Sequence, residues 1–518
     1  MPPASDAGGF TDVTLAAGIT AQPRLTHDDL RNIVEAVGSG AAFADLDGDG
    51  WLDLVVLGGT PSPDGDGETP PDTVHLYRNG KDGRFEELTA DSGVPPDTRA
   101  VAVAVADIDG DGDRDIYFVD RGPNHLFRNR GNGTFDDVTA EAHVGDQGFG
   151  IGAVFLDLER DGDLDLYVAN YLRFDPGETA YFAPDGYPGP LAYRPERDVL
   201  YVNRGDGTFE EASGRSGIDA LAGRSMSLAA ADFDDDGDTD IFVANDSTEN
   251  FLWINDGSGR FTEDGHTAGV ALGENGEQTS AMAASVGDVD GDGQLDLAVS
   301  DTAFGALYRR LYPGVFADDV MSSGLGRLAG QYVSWGQSFL DMDNDGDLDL
   351  FLANGGLHHL VGWEDLLLRN EGSGRFEDAS DLAGDYFGTR QVSRGSITGD
   401  YDNDGDIDLF VTTLSGRHFL LRNDAPSSPG WITLDLAGAR GRDAFGAKVE
   451  VRISNRTIVA EARCPTAYLG QSDPRLHFGL GAGVDRVDHI AIVWPDGKRR
   501  VLDDVPAGRI LRIEESVR

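Results

Sequence analysis

The run ADLDGDGWLDLVVLGG, residues 44–59, places Asp45, Asp47, Asp49 and Asp53 within nine positions and then turns apolar. Carboxylates about 5 Å apart repel by roughly 3 kcal/mol at an effective dielectric near 20. A cation among them is therefore expected. The run returns as DIDGDGDRDI (107–116), DLERDGDLDL (157–166), DFDDDGDTDI (232–241), DVDGDGQLDL (288–297), DMDNDGDLDL (341–350) and DYDNDGDIDL (400–409), so the chain is a repeat protein with seven copies 50 to 75 residues apart.

Each copy has acids at positions 1, 3, 5 and 9, glycine at 6 and Leu or Ile at 10. Hard carboxylate oxygens, a backbone carbonyl at position 7 and a glycine that permits a sharp turn suit Ca²⁺ best. About seven structural ions are expected and no organic cofactor. The expected ligands are Asp45, Asp47, Asp49 and Asp53; Asp107, Asp109, Asp111 and Asp115; Asp157, Glu159, Asp161 and Asp165; Asp232, Asp234, Asp236 and Asp240; Asp288, Asp290, Asp292 and Asp296; Asp341, Asp343, Asp345 and Asp349; and Asp400, Asp402, Asp404 and Asp408. Glu159, the one glutamate in the set, marks the third loop as the weakest or most rearranged. An EF-hand would need a glutamate at position 12 and flanking helices. Here position 12 is apolar or small, and strand-like runs such as LDLVVL and DIYFV follow.

The second half of each repeat, as in HLFRNRGNGTFDDVTAEAHV (125–144) or VLYVNRGDGTFEEASGRSGI (199–218), reads as strand, glycine turn, strand. Four strands per repeat make a propeller blade. The seventh repeat leaves the pattern after FLLRN (419–423), and GGFTDVTLAAGI (8–19) carries the missing outer strand. The expectation is an all-β chain: a seven-bladed propeller over 8–423, closed by its amino terminus, and a small β domain over 430–518.

The copies resemble the FG-GAP repeats of integrin alpha-subunit propellers over residues 8–423. The stretches RDAFGAKVEV, QSDPRLHFGLG and VWPDG in the remainder resemble the ASPIC/UnbV domain, and the combination is similar to the cartilage acidic protein family. That family includes secreted matrix or surface proteins and bacterial members encoded with enediyne biosynthetic genes and linked to intramolecular carbon–carbon bond formation. The resemblance thus implies either a cofactor-independent cyclase-like enzyme acting on a polycyclic substrate, or a non-catalytic adhesion module that binds protein or glycan.

Bulk composition limits the partners. A formal net charge of −51 with no basic stripe excludes nucleic acid, and no apolar run is long enough to span a membrane as a helix. The opening MPPASDAGGFTDVTLAAGIT has no basic n-region and no apolar core, which points to a cytoplasmic protein, or a secreted one if a leader has been trimmed. Cys464 is the single cysteine and reads as a small packed residue. No phosphate-binding glycine loop, GxSxG elbow or HExxH is present, which argues against common NTPase, hydrolase and zinc chemistry.

A partner or substrate is expected on the face opposite the acidic loops. That face receives the longest insertion, residues 170–198, with Tyr171, Phe174, Tyr181, Phe182, Tyr187, Tyr193 and Arg194. Trp335 and Trp363 add to the candidate binding set. Arg224, Glu277, Gln278, Arg390 and Arg394 near the inner strands, with His358, His359 and Glu364 in NGGLHHLVGWED, are the candidate catalytic groups. Each also has a bland reading, as a turn cap or a channel plug.

Overall fold

The computed structural model describes residues 9–23, 25, 28–59, 73–177, 186–424 and 430–515. Each acidic loop joins the first two strands of an antiparallel sheet. In the first sheet these strands are Ala41–Ala44 and Asp53–Leu57, continued outward by Val74–Asn79 and Phe85–Glu87. Six more sheets repeat that order, beginning at Ala102–Ala106, Gly150–Leu156, Ser225–Ala231, Ala284–Gly287, Ser334–Leu340 and Ser393–Gly399. Every first strand neighbours the first strand of the next sheet, and the seventh returns to the first. The ring is closed as the sequence implies: Phe10–Asp12 pairs antiparallel with Phe419–Asn423 as the outer strand of the seventh sheet.

Alternation explains the burial. Second strands such as Asp165–Asn170 and Asp408–Thr413 are buried along their whole length, because both faces pack on neighbouring sheets. The three-residue outer strands bury only their first residue, a phenylalanine, as in Phe85–Glu87, Phe135–Asp137 and Phe209–Glu211. One-turn helices follow, at Thr89–Ser92, Thr139–Ala142, Ser213–Ser216 and Gly265–Ala268, where the sequence reading had only strand and turn. Their first hydroxyls explain the Thr and Ser of the repeat: Thr139 Oγ1 accepts from Leu126 N (2.9 Å), and Ser213 Oγ accepts from Leu200 N (3.0 Å).

A second repeated device was not read from the sequence. In six of the seven sheets the asparagine ending the third strand donates Nδ2 to a loop carbonyl of the preceding sheet: Asn129 to Leu46 (2.8 Å), Asn203 to Ile108 (2.8 Å), Asn255 to Leu158 (3.1 Å), Asn370 to Val289 (2.7 Å), Asn423 to Met342 (2.9 Å) and Asn79 to Tyr401 (2.8 Å). These staples tie neighbouring sheets together around the ring.

Residues 431–515 build a β-sandwich. One sheet is Leu476–Gly479, Trp431–Ala437 and Arg509–Glu514; the other is Arg456–Glu461, Lys448–Ile453, Arg486–Val493 and Arg499–Pro506. Ile432, Leu434, Val451, Phe478, Ile490 and Trp494 fill its core. The expected boundary at 430 is not clean. Thr466–Ala467 and Gly470–Gln471 leave the sandwich and extend the first propeller sheet, with Gln471 opposite Ala42. Gln471 receives Val105 N (2.8 Å) and donates to Val105 O (2.9 Å), Thr466 donates to Leu228 O (2.6 Å), and the fully buried Tyr468 donates to Val37 O (3.0 Å). The segment plugs the axis of the ring. Gly40 is required there, since a Cβ would lie 1.7 Å from Leu469 O. Cys464 is buried behind the plug, its thiol pushed up to about 12 by desolvation, which suits a packed residue.

At the far end of the second strands, one side chain per connection closes the free backbone N–H: Asp198 takes Asn170 N (2.7 Å), Asn250 takes Asn245 N (2.9 Å) and Asp365 takes Asn354 N (2.7 Å). Burial lifts Asp365 to about 7. Its unfolded value is near 3.9, so the fold binds the extra proton and this contribution to stability falls as pH rises from about 4 to 7. Asp365→Asn keeps the acceptor without the charge. The difference in melting temperature, variant minus wild type, is expected to move in the variant's favour between pH 5 and pH 8 by calorimetry; a pH-independent difference would contradict the assignment.

Candidate functional site

Within each loop three carboxylates do different work. Position 1 cradles the turn: Asp45 accepts from Asp49 N (3.0 Å) and Gly50 N (2.8 Å), and Asp341 accepts from Asp345 N (3.1 Å) and Gly346 N (2.8 Å). Position 9 clamps the loop to its sheet. Asp115 accepts Ile108 N (3.0 Å) on one oxygen and Asn129 N (2.8 Å) on the other, and Asp408 does the same with Tyr401 N (3.1 Å) and Asn423 N (2.8 Å). Position 3 is less committed: in the fourth and fifth loops it accepts one turn N–H, from Asp236 N to Asp234 and from Asp292 N to Asp290 (3.2 Å each). Asp47 Oδ1, Asp109 Oδ1, Asp343 Oδ1 and Asp402 Oδ1 are buried without a hydrogen-bond partner.

Carboxylate oxygens of positions 1, 3 and 9 lie within 4.8 Å of one another in Asp45, Asp47 and Asp53, in Asp107, Asp109 and Asp115, in Asp288, Asp290 and Asp296, and in Asp341, Asp343 and Asp349. In the fourth loop the group is Asp232, Asp234 and Asp236. In those four loops position 5 stands outside the group and spends one oxygen on the turn, as Asp111 does with Asp113 N (2.9 Å) and Asp345 with Asp347 N (2.9 Å), which leaves its second oxygen for an ion. In the third loop Glu159 lies against Asp165, and burial together with that neighbouring carboxylate raises Asp165 well above the ordinary range.

Desolvation, reinforced by neighbouring carboxylates, holds these groups above the ordinary range, with Asp107 near 6, Asp53 near 7 and Asp115 near 8. Orphaned oxygens and raised carboxyls are what a hard divalent cation would satisfy, so the residues fit calcium. The seven loops need not be alike. Lys448 of the sandwich places its ammonium on Asp232, and Arg309 sits on Asp290.

The sandwich covers this acidic face with cations. Arg442 Nη1 reaches Asp163 Oδ1 (2.6 Å) and Gly162 O (2.8 Å), Arg456 Nη2 reaches Asp347 Oδ1 (2.5 Å), and Arg475 donates to Asn403 Oδ1 (2.9 Å) and Asp400 O (2.9 Å). Asp163 and Asp347 stand at position 7, outside the three-carboxylate groups, so these two contacts leave the candidate ligands free, whereas Lys448 on Asp232 does not.

On the opposite face the candidate residues scatter. Tyr171, Tyr187, Trp335 and His358 meet around one cavity of about 130 Å³, together with Asp246, Met226 and Met282, which the sequence reading had passed over. Tyr171 donates to Asp246 Oδ2 (2.6 Å), Tyr187 to Leu357 O (2.6 Å) and Trp335 Nε1 to Gly355 O (2.9 Å). His358 meets the Tyr187 ring edge-on at 5.0 Å. Arg224 holds the insertion by Pro190 O (2.9 Å) and Tyr193 O (2.8 Å). Arg394, lowered to about 10 by burial, lies 3.9 Å over Trp335 and donates to Ala36 O (2.7 Å), Ser393 O (2.9 Å) and Gly356 O (2.9 Å).

The others stand apart from the cavity. His359 pairs with Asp29 (2.7 Å) and Glu364 with Arg390 (2.8 Å) on the surface. Trp363 stacks edge-on against Tyr332 (5.8 Å), Phe174 tilts against Tyr193 (5.5 Å), and Glu277 closes its own turn on Asn275 N (3.0 Å). Arg194 is exposed in a two-residue ribbon with Arg173. Tyr181 and Phe182 lie outside the described residues. Asp246 had a signal in DIFVANDST, where an acid directly follows a buried strand end.

Removal of bound metal is expected to lower the melting temperature by several degrees, since an ion at 100 times its dissociation constant contributes about 2.7 kcal/mol. Asp343→Asn should lose one calcium per chain by elemental analysis, while Asp113→Asn at position 7 should lose none. Equal counts in both variants would remove position 3 from the ligand set.

The C-terminal residues 438–518 match the family described as ASPIC and UnbV. Residues 45–118, 107–168, 185–243, 232–299 and 341–411 match the FG-GAP-like repeat, together more than half of the chain. Cartilage acidic protein 1 of Mus musculus is 25% identical over 346 residues, 64% of this chain and 49% of that protein; the Homo sapiens protein is 24% identical over 311 residues, 58% of this chain and 37% of that protein. The chain spans half or less of the length of these relatives. Among solved structures, BBS1N in complex with ARL6DN aligns with a TM-score of 0.44 at 12% identity over 81% of this chain and 98% of that one. YCF48 bound to D1 peptide aligns at 0.40 and 11% identity over 78% and 97%. Repeated acidic loops in a closed ring of sheets, capped by a sandwich with its own family match, place this chain among the FG-GAP-like repeat proteins that carry an ASPIC and UnbV domain.

Proposed function

We propose that this chain is a calcium-rigidified recognition module that binds a protein ligand on the face opposite the acidic loops. The observation that carries this reading is the distribution of exposed apolar side chains. Of the eleven large apolar residues exposed among the described residues, seven, Leu15, Leu191, Leu221, Phe304, Met321, Val361 and Leu382, sit on connections that leave a second or fourth strand, which the topology directs to that one face; Leu311, Tyr312 and Val315 lie on the fifth sheet's outer hairpin and Val501 on the sandwich. Seven exposed apolar residues on a highly charged protein are a feature of contact surfaces. Calcium, up to one ion per loop, would serve to hold the sheets that present them.

Turnover of a polycyclic substrate has less support. Drug-sized ligands occupy about 300–1,000 Å³, more than twice the cavity beneath the 170–198 insertion, and the arginines beside it are committed to backbone carbonyls. One observation favours a catalytic alternative on a smaller substrate: His358 Nδ1 is buried without a hydrogen-bond partner next to a cavity that also holds the Asp246–Tyr171 pair.

The two readings separate experimentally. A partner recovered with the intact protein should dissociate at least tenfold more easily from Leu191→Ser/Phe304→Ser/Val361→Ser, measured by surface plasmon resonance, and should be indifferent to Tyr312→Ser on the fifth sheet's outer hairpin. Loss of binding or turnover with Asp246→Asn, and none with the triple variant, would instead establish the enzyme.

A further inference from the structure

The ring of staples has one exception. Six sheets end their third strand in asparagine, whereas the fifth, within ALYRRLYPG, has Arg310. The carbonyl that an asparagine would serve, Phe233 O, is taken by Gly314 N instead (2.9 Å). The guanidinium lies in a cavity of about 440 Å³ between the fourth and fifth sheets and the C-terminal sandwich. Arg310 is only 4% exposed; its Nη2 lies 2.6 Å from Asp235 Oδ2, and neither Nε nor Nη2 makes a well-formed hydrogen bond. A buried guanidinium with donors unspent costs stability unless something else uses them.

The cavity differs in charge from the protein around it. Although the chain carries a net charge of −51, this wall presents Arg310, Lys448, Arg452, Arg499 and Arg500 against Asp232, Asp235, Glu450 and Glu461. Three of the acids are already engaged, Asp232 by Lys448, Glu450 by Arg452 (2.5 Å), and the half-exposed Asp235 by Arg310 itself (2.6 Å) and Lys448 (3.9 Å). Glu461 is buried and accepts from Asp232 N (3.4 Å). Apart from His489, which pairs with Asp503 (2.7 Å), the rest of the lining is apolar and includes Val449, Val459, Ala460, Ile492 and Val501. Arg499 and Arg500 are exposed at the mouth.

We propose that this cavity binds an oxyanion carried on an apolar body, a carboxylate or a phosphate ester, with Arg310 as its principal anion contact. A guanidinium offers paired N–H groups in the geometry a carboxylate or phosphate accepts, the aliphatic wall takes the body, and the volume lies in the range of small-molecule sites. The proposal is independent of the opposite face and of any partner there.

The test is calorimetric titration of the full chain, in calcium buffer, with 2-naphthoate, 2-naphthyl phosphate and inorganic phosphate. At least one naphthyl probe is expected to bind, more tightly than inorganic phosphate, and which of the two binds better identifies the anion. Arg310→Asn, which restores the residue found in the other six sheets, should weaken that binding at least tenfold. Arg499→Gln, on the exposed rim where folding is not at issue, should weaken it about threefold and carries the test if the first variant does not fold. The proposal is overturned if no naphthyl probe binds, if inorganic phosphate binds as tightly as the naphthyl probes, or if neither variant changes the affinity.

Discussion

One carboxylate per sheet carries the architecture. The position 9 aspartate is the first residue of the second strand, and its two oxygens take a backbone N–H from the start of the loop and another from the third strand. Loop, second strand and third strand are thereby fixed in one geometry. The clamp is made at a buried position, so a charge is drawn out of water, and its neighbours at positions 1 and 3 are charges of the same sign. Desolvation raises these groups well above their ordinary values. A clamp of this kind is stable at neutral pH only beside a positive charge.

The molecule has two sources of that charge. A cation in the loop would meet the orphaned position 3 oxygens, which no side chain of the first, second, sixth or seventh loop satisfies. The C-terminal sandwich supplies fixed guanidinium groups to the position 7 acids and to loop carbonyls. The sandwich is therefore part of the ring's electrostatics rather than an appendage. Its axial segment, hydrogen-bonded to first strands of several sheets, also fills the space that would otherwise run through the centre.

What could be read from the sequence follows from this division. Loop spacing, strand order and the amino-terminal closure are local patterns, repeated often enough to be unmistakable. The axial segment TAYLGQ was legible only as part of a small β tail domain, because its partners in the propeller lie hundreds of residues away, as with Gln471 and Val105. The aromatic insertion was read as a surface for stacking, yet Tyr171, Tyr187 and Tyr193 are buried and bonded to their own scaffold. A tyrosine near a loop carries no mark of which way it faces. The staple was present in the text as HLYRN, HLFRN, VLYVN, FLWIN, LLLRN and FLLRN, but its meaning needed the neighbouring sheet's carbonyl.

The two faces of the ring are consequently under different constraints. On the acidic face nearly every polar group answers to the loops, the staples or the sandwich, and change there is tolerated only where a partner compensates. Arg310 illustrates the exception: the fifth sheet keeps its register because Gly314 N takes over the carbonyl, which frees a cationic side chain for the space under the sandwich. On the opposite face the strand ends are closed by their own Asp and Asn caps. The connections beyond them differ in length from sheet to sheet, and the longest, 170–198, packs its tyrosines into the ring while leaving Leu191 exposed. A scaffold fixed by charge on one side thus leaves the other side open to acquire a binding surface, and seven of the eleven exposed large apolar residues among those described lie there.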